Sequence, residues 1–111
     1  MNKKYWLIGK RIFALKNRCS NPCEYISNYY SYLYGNSYMF SRENVIYMKK
    51  LYLFYPIYFN IFDKISWDIF KLLLSINSNK VRNFYLNILL FCNSSYEELS
   101  LLIDNYIYFR I

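Results

Sequence analysis

Residues 40–56, FSRENVIYMKKLYLFYP, and residues 65–110, ISWDIFKLLLSINSNKVRNFYLNILLFCNSSYEELSLLIDNYIYFR, decide how this chain is read. Apolar residues recur at helical spacing in short runs, each opened by a Ser or Asn, the residue types whose side chains cap a helix start. Each run is too short to be stable alone in water, so the helices must pack together as one small domain over residues 1–111.

Working outward from these runs, the third helix is expected from about Arg42 to Phe54, with Ser41 as its cap and Glu43 in its first turn. Val45, Met48, Leu51 and Tyr52 should face inward, and Pro56 closes the helix. Ser66 opens a fourth through Ser75, carrying Trp67, Phe70, Leu73 and Leu74. Asn77 or Ser78 opens a fifth, about Asn79 to Phe91, with Val81, Phe84, Tyr85, Ile88 and Leu89 inward. Ser95, with Glu98 three residues on, spells a capping box for a sixth running to about Phe109. Before them, a first helix is expected over Tyr5 to Arg18, with Ile8, Ile12 and Leu15 on one stripe and Lys10, Arg11 and Lys16 opposite or flanking it. Asn21 and Pro22 stop and restart the chain, and a second helix follows over Cys23 to Tyr34, with Ile26, Tyr30 and Leu33 inward and Gly35 as its stop. Period-two alternation of useful length is absent, so the expected class is all-α with about six short helices.

Composition narrows the function. The chain holds 111 residues, 56% hydrophobic, with 15 Tyr whose hydroxyls need a partner or water, so the core should be aromatic and wet at its edges. Heavy use of Tyr, Phe, Ile, Asn and Lys resembles drift toward AT-rich codons. The longest apolar run, Leu51 to Phe62, is about a dozen residues interrupted by Pro56 and Asn60, whereas a spanning helix needs roughly 20. Lys10 and Arg11 break the apolar part of the signal-like start, and the expected location is cytoplasmic, with no membrane partner. Cys19, Cys23 and Cys92, with no His, cannot supply the four ligands of a zinc site and read as free thiols. No metal, cofactor or small-molecule substrate is expected.

Net charge is +7 and uneven: residues 1–18 carry +6 with no acid, and residues 95–111 carry −2. A phosphate-binding surface therefore belongs to the front and middle of the chain. The candidates are Lys10, Arg11, Arg42, Lys49, Lys50, Lys71 and Arg82.

The chain resembles the N-terminal domain of the YhcG family, bacterial proteins in which a helical module precedes a PD-(D/E)XK nuclease domain. Tyr5-Trp6-Leu7-Ile8-Gly9-Lys10-Arg11-Ile12 is similar to the family's YW-x-IG-x-x-I opening. Phe40-Ser41-Arg42-Glu43-Asn44-Val45 and Met48 through Tyr52 are similar to its FS-x-x-N-L-x-x-M-x-x-(F/L)-Y block. Ile65-Ser66-Trp67, Leu72-Leu73-Leu74, Arg82-Asn83-Phe84-Tyr85, Ser95, Glu98-Leu99 and Tyr108 to Arg110 follow its third pattern without a gap. The residues that carry the likeness, Trp6, Gly9, Phe40, Ser41, Asn44, Ser66, Trp67, Phe84, Tyr85, Ser95, Glu98 and Leu99, are read as structural. Departures are Gly35 to Met39 in place of a GRG turn, Ile69 for a His, Ser94 for a Trp and Glu97 for an Arg. Only Met1 to Lys4 precede the opening motif, and Ile111 stands where the nuclease domain would begin, so the resemblance implies a truncated member or a gene remnant.

None of the seven acids is followed two residues later by the Lys that a PD-(D/E)XK centre uses, and Ser and Cys lack a His base, so no catalytic residue is assigned. The third block also resembles the helix-turn-helix of ParB-type proteins, which would make Tyr96 to Tyr108 a groove-reading helix. The acids Glu97 and Glu98 oppose that role, because phosphate repels them. The expected function is a non-catalytic DNA-binding or assembly module. Its partner would be DNA, a second copy, or a separate nuclease subunit.

Overall fold

Short polar side chains set where the helices begin. In the computed structural model, which describes residues 2–35 and 38–105, six α-helices are present and no strand occurs among the described residues. They are α1 Asn2–Ala14, α2 Pro22–Tyr34, α3 Arg42–Phe54, α4 Trp67–Leu74, α5 Asn79–Cys92 and α6 Tyr96–Asp104, with 3₁₀ turns at Tyr38–Phe40 and Asn60–Lys64. Ser41, Ser66, Ser78 and Ser95 each accept a hydrogen bond from the backbone N–H three residues on, which satisfies one donor that the helix start leaves open. Asn21 does the same for Glu24, with Pro22 in the first turn. Ser95 and Glu98 form the full capping box.

Two boundaries differ from expectation. α1 starts at Asn2 rather than Tyr5 because the Asn2 amide, itself buried, donates to the Phe62 carbonyl at 2.8 Å and ties the first turn down. It ends at Ala14, and residues 15–18 continue as turns, with the Lys16 N–H on the Phe13 carbonyl and the Arg18 N–H on the Leu15 carbonyl. For α6, the part of the expected helix beyond Asn105 lies outside the described residues.

The described chain divides into two compact units, residues 1–64 and 65–111. In the first, α1 packs chiefly along α3, and α2 and the two 3₁₀ turns complete the cluster. Ile8, Ile12, Ile26, Tyr30, Val45, Met48 and Leu51 are buried as expected. Gly9 is what lets α1 and α3 approach so closely: a Cβ there would collide with the backbone carbonyl of Met48. Leu33, expected inward, is 48% exposed because the last turn of α2 is left uncovered together with Tyr34. The second unit packs α4 against α5 and α6, and α5 against α6. Phe70, Leu73, Leu74, Tyr85, Leu86, Leu89 and Leu99 are buried, while Trp67, Val81, Phe84 and Ile88 are only partly covered.

Candidate nucleic-acid interface

Helical spacing sorts α1 into two faces. Asn2, Tyr5, Ile8, Gly9 and Ile12 are buried, and the opposite face presents Lys3, Lys4, Leu7, Lys10, Arg11 and Ala14, all exposed. Four cations and no acid therefore share one side of one helix. Lys4 lies over the Tyr5 ring, Lys10 over Trp6, and Lys16, just past the helix, over Phe13 at 4.1 Å. Such cation–π contacts hold the ammonium groups against the surface without neutralising them. The rings beneath are fixed in turn: the Trp6 indole N–H donates to the Tyr55 carbonyl at 2.7 Å, and Trp6 and Phe13 both pack on Tyr52.

Charge is divided between the units more sharply than along the sequence. The first unit holds ten basic and three acidic residues, and the second four of each, so the whole +7 belongs to the first.

The expected cations differ in their surroundings. Lys10 and Arg11 stand on the outer face of α1, and the Arg11 guanidinium turns toward α2, donating to the Tyr30 hydroxyl at 2.5 Å. Arg42 is exposed and Lys49 partly so, and both lie near Cys23 of α2. Burial pushes the Cys23 thiol up, and the positive charges of Lys49 and Arg42 pull partly against it. Lys50 lies over the Tyr47 ring. In the second unit, Lys71 is largely covered and pairs with Asp68 at 3.6 Å.

Arg82 is a correction. It is 1% exposed and cannot meet a phosphate; its guanidinium donates to the Ile76 carbonyl at 2.7 Å and to the Asn79 side-chain oxygen, pinning the connection between α4 and α5. Conversely, Lys3 and Lys4 belong to the basic face although the sequence reading does not single them out. Their signal is the spacing of seven to Lys10 and Arg11, hidden when the first helix is started at Tyr5.

Acids are dispersed among other tasks. Asp63 accepts from the Tyr58 hydroxyl at 2.5 Å, and burial together with that bond drives the phenol well above its ordinary pKa. Asp68 pairs with Lys71, Glu98 closes its capping box, and Glu24 accepts from Asn21. Among the described residues, no three His, Cys, Asp or Glu side chains are placed to share a metal ion, and no helix is long and apolar enough to cross a membrane.

Several of the motif residues make contacts within the fold. Ser41 caps α3, while the buried Asn44 amide reaches back to the Met39 carbonyl at 2.7 Å, and the Phe40 carbonyl accepts from the Ser27 hydroxyl. Tyr85 packs edge-on against Phe84. Residues 1–110 match the model of the DUF1016 N-terminal domain. The chain belongs to this family. It is the N-terminal domain family of the YhcG proteins, so the likeness carried by the three sequence blocks extends over residues 1–110 of the chain. No curated protein and no solved structure matches the chain.

Proposed function

We propose that the chain is a non-catalytic module that holds nucleic acid by its phosphate backbone, with α1 as the principal contact. The observation that carries this reading is the outer face of α1: four cations, no acid, in the unit that holds the entire net charge. A surface of this kind attracts a polyanion and releases its counterions regardless of sequence. In relatives with a nuclease domain, the module would bring that domain to its target.

The second unit is a poorer candidate for backbone contact. α5 and α6 are joined by a three-residue turn that opens on Asn93 in the left-handed conformation, which suits a helix-turn-helix, but Glu97 and Glu98 stand exposed at the start of α6. Repulsion between these acids and phosphate opposes insertion into a groove. Phe91, 87% exposed, and Leu101, 61% exposed, instead favour assembly through this neutral unit, with a second copy or a nuclease subunit as partner.

Titration of labelled duplex DNA at several salt concentrations tests the reading. Affinity should fall linearly with salt on a logarithmic plot, and replacing Lys3, Lys4, Lys10 and Arg11 with Ala should flatten the slope by about 0.9 for each phosphate no longer neutralised. A slope unchanged by the fourfold variant, with its helix content intact, would sink the proposal.

A further inference from the structure

Between α1 and α2 the first unit has two adjoining recesses that share one cation. The first, about 340 Å³, is lined by Lys4, Leu7, Arg11, Tyr30, Tyr34 and Phe40 among others. The second, about 270 Å³, is lined by Arg11, Leu15, Tyr25, Ile26, Tyr29 and Tyr30 among others. Both volumes are near the small end of ligand sites, which run from roughly 300 to 1,000 Å³. Among the described residues, no acid lines either one.

Their aromatic walls are ordered. Tyr30, Tyr34 and Phe40 lie in nearly parallel planes: Tyr30 and Phe40 have centroids 5.2 Å apart at 16°, Tyr30 and Tyr34 are 6.0 Å apart at 14°, and Tyr34 and Phe40 are 5.7 Å apart at 27°. In the second recess Tyr25 and Tyr29 are parallel within 11°, with centroids 6.4 Å apart. Tyr34 is 66% exposed and Tyr25 53%, so each stack has an open end. Rings left this way, with cations beside them, offer what an unpaired base needs: a flat π-surface to stack on and a positive charge for its phosphate. Duplex DNA has its bases stacked inside and cannot use these rings.

We infer that the α1–α2 groove binds single-stranded nucleic acid, with one base stacked at Tyr34 and Phe40, a second at Tyr25 and Tyr29, and Arg11 serving the phosphate between them. This rests on the phosphate-binding reading above and makes unpaired strands its preferred ligand. Arg11 suits the shared position because its bond to the Tyr30 hydroxyl fixes the guanidinium between the recesses while other N–H groups remain to donate.

The test is fluorescence anisotropy with the whole 111-residue chain and three labelled probes of equal length: oligothymidylate, a duplex, and an abasic strand that keeps the backbone but lacks bases. Oligothymidylate should bind tightest. Tyr34→Ala should weaken it roughly tenfold, the scale of one base–aromatic stack, and leave duplex and abasic binding unchanged, while Tyr34→Phe should bind as the parent does. Tyr34 is exposed, so circular dichroism should show both variants folded. Equal affinity for thymidylate and abasic strands, or equal weakening on all probes in Tyr34→Ala, overturns the inference while leaving the phosphate reading standing. Absence of salt-dependent binding to any probe overturns both. A dimer in DNA-free solution that Tyr34→Ala dissociates also overturns it and assigns the groove to a second copy.

Discussion

Gly9 turns a residue-scale contact into a test with an unusual sign. In a helix interior Gly→Ala ordinarily stabilises by about 1 kcal/mol. Here the added methyl would meet the Met48 carbonyl, which is backbone and cannot step aside, so Gly9→Ala should destabilise by about 1–3 kcal/mol in a urea titration. Arg82 makes a second case. Removing a buried guanidinium that donates to the Ile76 carbonyl and to Asn79 leaves acceptors unpaired, and Arg82→Ala should cost about 2–4 kcal/mol. Lys cannot reproduce the fork and should recover little of it. At Cys23 the folded thiol holds its proton more tightly than the unfolded one. Its contribution is therefore complete below the ordinary thiol pKa and is lost as pH climbs through the raised value. Wild type should lose more melting temperature than Cys23→Ala between neutral and strongly alkaline pH. A thiol reagent should meet exposed Cys92 first and buried Cys23 last.

Three helix starts were legible because their cause is local. Ser41, Ser66 and Ser95 stand at helix starts because capping involves only the next three residues, and Ser95→Ala should cost about 1 kcal/mol by thermal melting. The start of α1 was not legible, since it depends on Asn2 reaching Phe62, sixty residues away. Burial along α4 was legible in its period but not in its extent. Phe70 is fully buried and Trp67 only partly, so Phe70→Ala should cost about 3–5 kcal/mol and Trp67→Ala distinctly less, despite the larger side chain. Equal losses would place Trp67 in the core after all.

For the whole molecule, the division of charge is the property with the widest reach. Glu97→Gln with Glu98→Gln should leave DNA affinity unchanged if α1 makes the contact, and should raise it at low salt if α6 lies near the backbone. The sequence by itself determined the helical class, the caps and the family, because these follow from periodicity, from interactions within one turn and from motifs read along the chain. It also showed that the front of the chain is basic. Only the tertiary structure decided which cations face solvent, since burial depends on partners remote in sequence. Arg82, read as a phosphate contact, was drawn inside by carbonyl and amide acceptors, while Lys3 and Lys4 joined the basic face once α1 was anchored from Asn2. The paired aromatic recesses beside Arg11 were likewise invisible along the chain, because they exist only where α2 lies against α1.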